Sequence, residues 1–106
     1  MCRFATACRS GDTVAIRAAL AVTVVAVCDG VGVVHGAIDV ARLARLLLVE
    51  RPQVTVSAEA VNGGPGLAVR RLGRAIAVIA IDTTGAEITA LWIAVDPGKL
   101  RAWHRP

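Results

Sequence analysis

QVTVSAEAVNGGPGLAVRRLGRAIAVIAIDTTGAEITALWIAV, residues 53–95, decides the fold. Its apolar residues recur with a period of 2 rather than 3.6, the spacing of pleated strands whose side chains alternate between two faces. Three turn signals cut the stretch: Asn62-Gly63-Gly64-Pro65, Leu72-Gly73 and Asp82-Thr83-Thr84-Gly85. They leave four strands, Gln53 to Val61, Gly66 to Arg71, Arg74 to Ile81 and Glu87 to Val95, joined as a meander. From Ala75 to Ile81 every residue is apolar, so both faces of the sheet must be covered.

Upstream the period changes. Ile38, Leu43, Leu46 and Leu47, with Arg42 and Arg45 between them, form an amphipathic helix that Pro52 stops. Val22 to Cys28 is too short and too β-branched for a good helix and reads as a strand ending at Asp29-Gly30, and His35-Gly36 is a further break. Phe4 to Arg9 is a short helix, after which Asp12 caps a second one, Thr13 to Leu20. Helices and strands are thus segregated, which is the α+β class: three N-terminal helices on one face of a curved, mostly antiparallel sheet of five strands. The other face is left for a partner, most simply a second copy of the chain, and a homodimer is expected.

The chain has 106 residues, 56% of them apolar and 3% aromatic, with a formal charge of +4. That length fits one domain, residues 1–106, and that apolar content excludes disorder. The longest uncharged apolar run, Ala18 to Cys28, is 11 residues, against the ~20 that span a bilayer. Arg3 and Arg9 interrupt the place of a signal-peptide core, so no membrane contact and a cytoplasmic location are expected. The positive charge is nearly all arginine and dispersed; only Arg70, Arg71 and Arg74 cluster, and without interleaved aromatics no nucleic-acid binding is expected. Cys2, Cys8 and Cys28 form no C-x-x-C pair, and His35 and His104 are not near them, so no metal and no cofactor are expected and the thiols are read as free.

Four motifs add a resemblance: Cys8-Arg9-Ser10-Gly11-Asp12, Val27-Cys28-Asp29-Gly30, Val61-Asn62-Gly63-Gly64-Pro65-Gly66-Leu67, and Ile88-Thr89-Ala90-Leu91-Trp92 running on to Asp96-Pro97-Gly98-Lys99-Leu100. With the element order, they resemble the SnoaL-like branch of the nuclear-transport-factor-two-like superfamily over nearly the whole chain. The closest wording is that of the SnoaL-like domain at the C-terminus of some extracytoplasmic-function sigma factors. The resemblance implies a cone-shaped α+β fold, shared with ketosteroid isomerases. Met1 falls where the SnoaL-like domain begins, so no DNA-binding helices are expected ahead of it, and any action on a sigma factor would be in trans.

Carried over residue by residue, the resemblance to ketosteroid isomerases places Asp29 at the general-base aspartate. Phe4 then stands at the oxyanion tyrosine and Ala77 at the second oxyanion donor, so both donors are missing. Losing one such donor typically costs ~10² to 10³ in rate, which makes isomerisation through a dienolate a poor fit.

Asp29, at the end of an apolar strand beside Val25 and Val27, would lose hydration and have its pKa raised, the direction a general base needs. The plain alternative is an exposed Asp-Gly turn. His35, six residues on, could reach the same mouth as a proton shuttle or stand in an exposed loop. If Asp29 faces inward, alternation takes Val25 and Val27 with it and turns Cys28 away. The expected pocket lining is Phe4, Val25, Val27, Asn62, Leu67, Val69, Ala77, Ile79, Leu91, Ile93 and Val95, with Thr89, Ala75 and Ile81 beside them. Asn62 would offer its amide to a ligand, or serve only to accept a left-handed turn angle. Trp92 falls on the outer face as an interface anchor, with a place in the pocket as the alternative. With so few aromatics to fill it, the cone is expected to be an open, dry cavity.

These readings point to a cofactor-free cyclase or isomerase acting on an apolar, polyketide-like small molecule, with intramolecular ring closure guided by pocket shape. The alternative is a non-catalytic domain that binds an apolar metabolite or docks on another protein.

Overall fold

The structure, a computed structural model, describes residues 2–48 and 53–104. Helices α1 (Cys2–Ser10) and α2 (Thr13–Ala18) lead into β1 (Leu20–Cys28), which turns back as β2 (Gly32–His35). Then follow α3 (Ala37–Leu48), the strands β3 (Val54–Val61), β4 (Gly64–Arg71), β5 (Arg74–Thr84) and β6 (Glu87–Ala94), and finally α4 (Pro97–Leu100) with a 3₁₀ turn, Arg101–Trp103. The α+β cone stands, with the strands in the order β2-β1-β6-β5-β4-β3. All neighbours are antiparallel except β1 and β6.

Local chemistry explains the boundaries. Asp12 caps α2 as the sequence suggests, accepting from the Ala15 N–H at 3.1 Å. Asn62 and Gly63 both have positive φ, 53° and 79°, as a two-residue hairpin turn demands, and β4 therefore starts at Gly64 rather than Gly66. The helix stop assigned to Pro52 lies outside the described residues. Register shifts at β1/β6, β4/β5 and β5/β6 bend the strands and give the sheet its curvature.

Two elements exceed the expectation. The sheet has six strands, not five, because the four residues Gly32–His35 pair with β1; a run that short between two glycines carries no period. β6 is also followed by a helical segment, started by Asp96 accepting from the Gly98 N–H at 3.0 Å with Pro97 in the first turn.

The helices close on the inner face of the sheet, where one cluster joins Phe4, Ile16, Val24, Val40, Leu67, Val69, Ile79 and Leu91, all fully buried. The open cavity expected inside the cone is thereby corrected. On and beside the helices, Ala5, Ala7, Ala19, Ala41 and Ala44 are buried along with Phe4, Cys8, Ile16 and Val40, and the small alanine contacts let the backbones approach the sheet closely enough for aliphatic side chains to fill the space. On the outer face a second cluster, Val61, Ala75, Val78 and Leu100, is roofed by α4 and Trp103. Ala75, expected inside the cone, lies here. Among the described residues no helix is long and apolar enough to cross a membrane.

Candidate functional site

The inner and outer faces of β1 are opposite to the expected ones. Val24, Ala26 and Cys28 belong to the core, and Cys28 pairs with Ile93. Val25 and Val27 therefore look outward, Val27 beside Trp92. Both sets of β1 are apolar apart from the exposed Thr23 on the outward one, so a period of 2 barely tells in from out. Of the expected lining, Phe4, Leu67, Val69, Ala77, Ile79, Leu91 and Ile93 are core side chains of a filled cone, and Val95 packs against that core. Val27, Asn62 and, from its place in the core, Ile93 line a different cavity.

That cavity is a groove of about 410 Å³ on the outer face, beneath the C-terminal segment. Its floor is Val27 of β1, Trp92 and Ala94 of β6, and Val78 and Ala80 of β5; Val61 and Asn62 close one end. Lys99 and Trp103 form the wall, and Asp29 stands at the end of β1. Trp92 is on the outer face as expected and 46% exposed, yet it is also a lining residue of this groove. Sequence reasoning missed Lys99, Trp103, Val61, Val78, Ala80 and Ala94. The helix start at Asp96-Pro97 was the signal that could have folded Lys99 and Trp103 back over the sheet.

Asp29 is a clamp on the segment that carries this wall. Its Oδ1 accepts from the Val95 N–H at 2.7 Å, and its Oδ2 accepts from the Asp96 N–H and from Lys99 Nζ, each at 3.4 Å. The Val95 N–H above all holds the carboxyl below its ordinary range; partial burial opposes this, and Asp96 and Lys99 add to it. The expected upward shift is corrected, because donors aimed at the charged form outweigh lost hydration. His35 does not join Asp29. It pairs with Val25, whereas Cys28 pairs with Gly32, a separation of roughly 10 Å along the ladder at ~3.3 Å per residue. His35 instead lines a separate shallow groove with Val33, Asp39, Arg42 and Leu46.

Burial pushes the Cys8 thiol up to about 12 against the pull of Arg9, and burial and then Asp29 push Cys28 up as well. Neither is a thiolate at neutral pH. Among the described residues no group of three His, Cys, Asp or Glu side chains could hold a metal ion.

The wall is anchored by Arg70, the buried charged residue of the outer face, 7% exposed. It donates from Nη1 to Glu59 Oε2 at 2.6 Å and to Ser57 Oγ at 3.0 Å, and from Nε to the Trp103 carbonyl at 2.8 Å. One residue on, His104 Nδ1 accepts from the Ala75 N–H at 2.9 Å.

With six curved strands, helices on the inner face and a filled cone, the backbone matches solved structures over almost its whole length. An NTF2-like protein of unknown function from Cytophaga hutchinsonii is similar at a TM-score of 0.65 and 16% identity, over 93% of this chain and 88% of that one. The fold is NTF2-like. An LEH-like epoxide hydrolase of M. tuberculosis shares this NTF2-like fold at a TM-score of 0.58 and 16% identity, over 96% of this chain and 84% of that one. A candidate ketosteroid isomerase from Kribbella flavida does so at 0.61 and 13%, over 87% and 71%. No protein-family model and no curated protein matches the sequence.

Proposed function

We propose that this chain is a small-molecule-binding domain whose ligand lies in the outer-face groove, not in the cone. The observation that carries this is the pairing of a filled cone with an outer groove of about 410 Å³ that has an apolar floor and a few polar groups at its rim. Ligand sites have this composition and typically run from ~300 to 1,000 Å³. A fluorescent apolar probe, N-phenyl-1-naphthylamine, tests it: saturable binding that weakens at least tenfold in Trp92→Leu is expected. Absence of saturable binding, or binding indifferent to Trp92, overturns the reading.

The second reading is enzymatic, a cofactor-free isomerase or cyclase that folds an apolar, polyketide-like substrate by shape. It is supported by the fold shared with an LEH-like epoxide hydrolase and a candidate ketosteroid isomerase. In this reading Asp29, ionised at the groove's end, orients a polar group of the substrate, and His35 takes no part. Turnover faster than the uncatalysed reaction, lost in Asp29→Asn, would establish it.

We further propose that two copies pair through the open part of the same face, where Val33, Val27 and Trp92 are exposed. The ligand and the second copy then compete for Trp92, and probe affinity falls as the protein is concentrated. In a cytoplasmic setting, a partner such as a sigma factor acted on in trans is a further occupant, suggested by the motif resemblance alone.

A further inference from the structure

The chain has three aromatic residues, one Phe and two Trp. Phe4 is buried in the cone, and both tryptophans line the outer groove. Trp92 is fixed on β6 in the middle of the sheet. Trp103 is brought to it by the return of the C-terminal segment, whose Leu100 is buried against Val61, Ala75 and Val78. Its own carbonyl accepts from Arg70 Nε, and the imidazole of the next residue, His104, accepts from the Ala75 N–H. Both indoles are thus presented on anchored backbone, at little ordering cost to a ligand.

The polar groups define the rest. Asp29 and Lys99 are of opposite charge and paired at 3.4 Å, so the groove presents no net formal charge to an ion. Asn62 is exposed, with a left-handed φ of 53°, and its amide makes no hydrogen bond with the described residues. A left-handed angle explains why an Asn stands in the turn; it does not use the amide, which lines the groove and carries two donors and an acceptor.

We infer that the groove selects a neutral, flat aromatic ring system carrying a hydroxyl or carbonyl oxygen at one end, the rings against Trp92 and Trp103 and the oxygen at Asn62. This rests on the reading of the groove as the ligand site and names its ligand class. Aromatic pairs gain beyond the area they bury, so two such contacts favour an aromatic ligand over a saturated one of the same skeleton by about tenfold.

The test is calorimetric titration of the intact protein with naphthalen-2-ol and with its saturated counterpart, decahydronaphthalen-2-ol. The aromatic alcohol is expected to bind about tenfold tighter, the ratio falling towards one in Trp103→Leu, with Trp103→Phe retaining part of it. Asn62→Ala is expected to weaken naphthalen-2-ol severalfold and to leave naphthalene unchanged. Equal affinity for the two alcohols overturns the aromatic preference while the ligand site stands. A preference that survives both Trp92→Leu and Trp103→Leu overturns the placement. Failure of both alcohols and of N-phenyl-1-naphthylamine to bind overturns the ligand site itself, as does a dimer, broken by Trp92→Leu, that excludes all three.

Discussion

Arg70 on β4 donates from Nε to the Trp103 carbonyl at 2.8 Å, tying the segment that follows β6 to the sheet across 33 residues. The same guanidinium meets Glu59 through Nη1, while its Nη2 is buried without a hydrogen-bond partner among the described residues. A buried charge that is imperfectly satisfied is a poor source of stability. Its yield is positional: it sets where Trp103 stands, and so the shape of the groove.

Arg70→Met is therefore expected to cost about 3 kcal/mol, because it removes the guanidinium from a largely buried Glu59. Adding Glu59→Leu is expected to restore at least half of that, since apolar replacement of a whole buried pair is often neutral or better. Urea unfolding measures both. In a Trp92→Phe background, Trp103 emission is expected to shift to the red and to quench more readily with acrylamide in either variant. Unchanged quenching would show that Arg70 does not position Trp103.

Asp29 makes stability depend on acidity. Its carboxyl is held below its ordinary value of 3.8 by the Val95 N–H first, so the native state favours the charged form. The stabilisation is complete above that value and is lost as the pH falls below it through the lower native pKa. Asp29→Asn keeps an acceptor for Val95 and is expected to cost about 1 kcal/mol at neutral pH, a charge-assisted bond becoming a neutral one at a partly exposed site. It should also flatten the loss of stability below pH 4. Thermal melts from pH 2 to 7 check this; parallel curves for the two proteins would remove Asp29 as the clamp. His35→Ala, on the exposed edge strand, is expected to leave both curves within about 0.5 kcal/mol.

Much of the fold was legible because the strands 54–94 announce their period and turns, and Asp12 and Asn62 do what their chemistry suggests. The site was less so. β1 carries one polar residue, Thr23, on its outward set, too little for a period to decide, and the burial of Val24, Ala26 and Cys28 and the pairing of Cys28 with Ile93 settle which face is inward. Low aromatic content suggested an empty cone, but small alanines bring the helices close enough for Leu67, Ile79 and Leu91 to fill it. The groove joins β1, β5 and β6 to a tail that starts at Asp96, a juxtaposition that no local spacing encodes.

Cone and groove are expected to fail independently. Ile79→Ala removes a fully buried side chain and should cost about 2–5 kcal/mol. Provided the variant is folded, N-phenyl-1-naphthylamine affinity should hold. Trp92→Leu, on a half-exposed residue, should change stability by about 1 kcal/mol or less while affinity drops at least tenfold. Affinity that follows Ile79 rather than Trp92 would return the ligand to the cone.

Gly66 joins the two regions through a steric limit. A Cβ there would stand 2.5 Å from the Ile79 carbonyl oxygen and closer still to Val61 Cγ2. The first is backbone of the neighbouring strand and cannot step aside, so Gly66→Ala is expected to cost about 3 kcal/mol, the upper end for overpacking. Gly63, with φ of 79° and open space around its Cβ position, sets the control: Gly63→Ala meets only the left-handed strain, about 1 kcal/mol. Val61→Ala in the Gly66→Ala background removes the clash with Cγ2 but leaves Val61 Cβ at 2.8 Å and the carbonyl at 2.5 Å, so it should recover only part of the loss. Chemical denaturation of the four proteins decides it. Full recovery would mean that β4 and β5 can separate at this point and that the close approach of Gly66 to Ile79 is not required by the sheet.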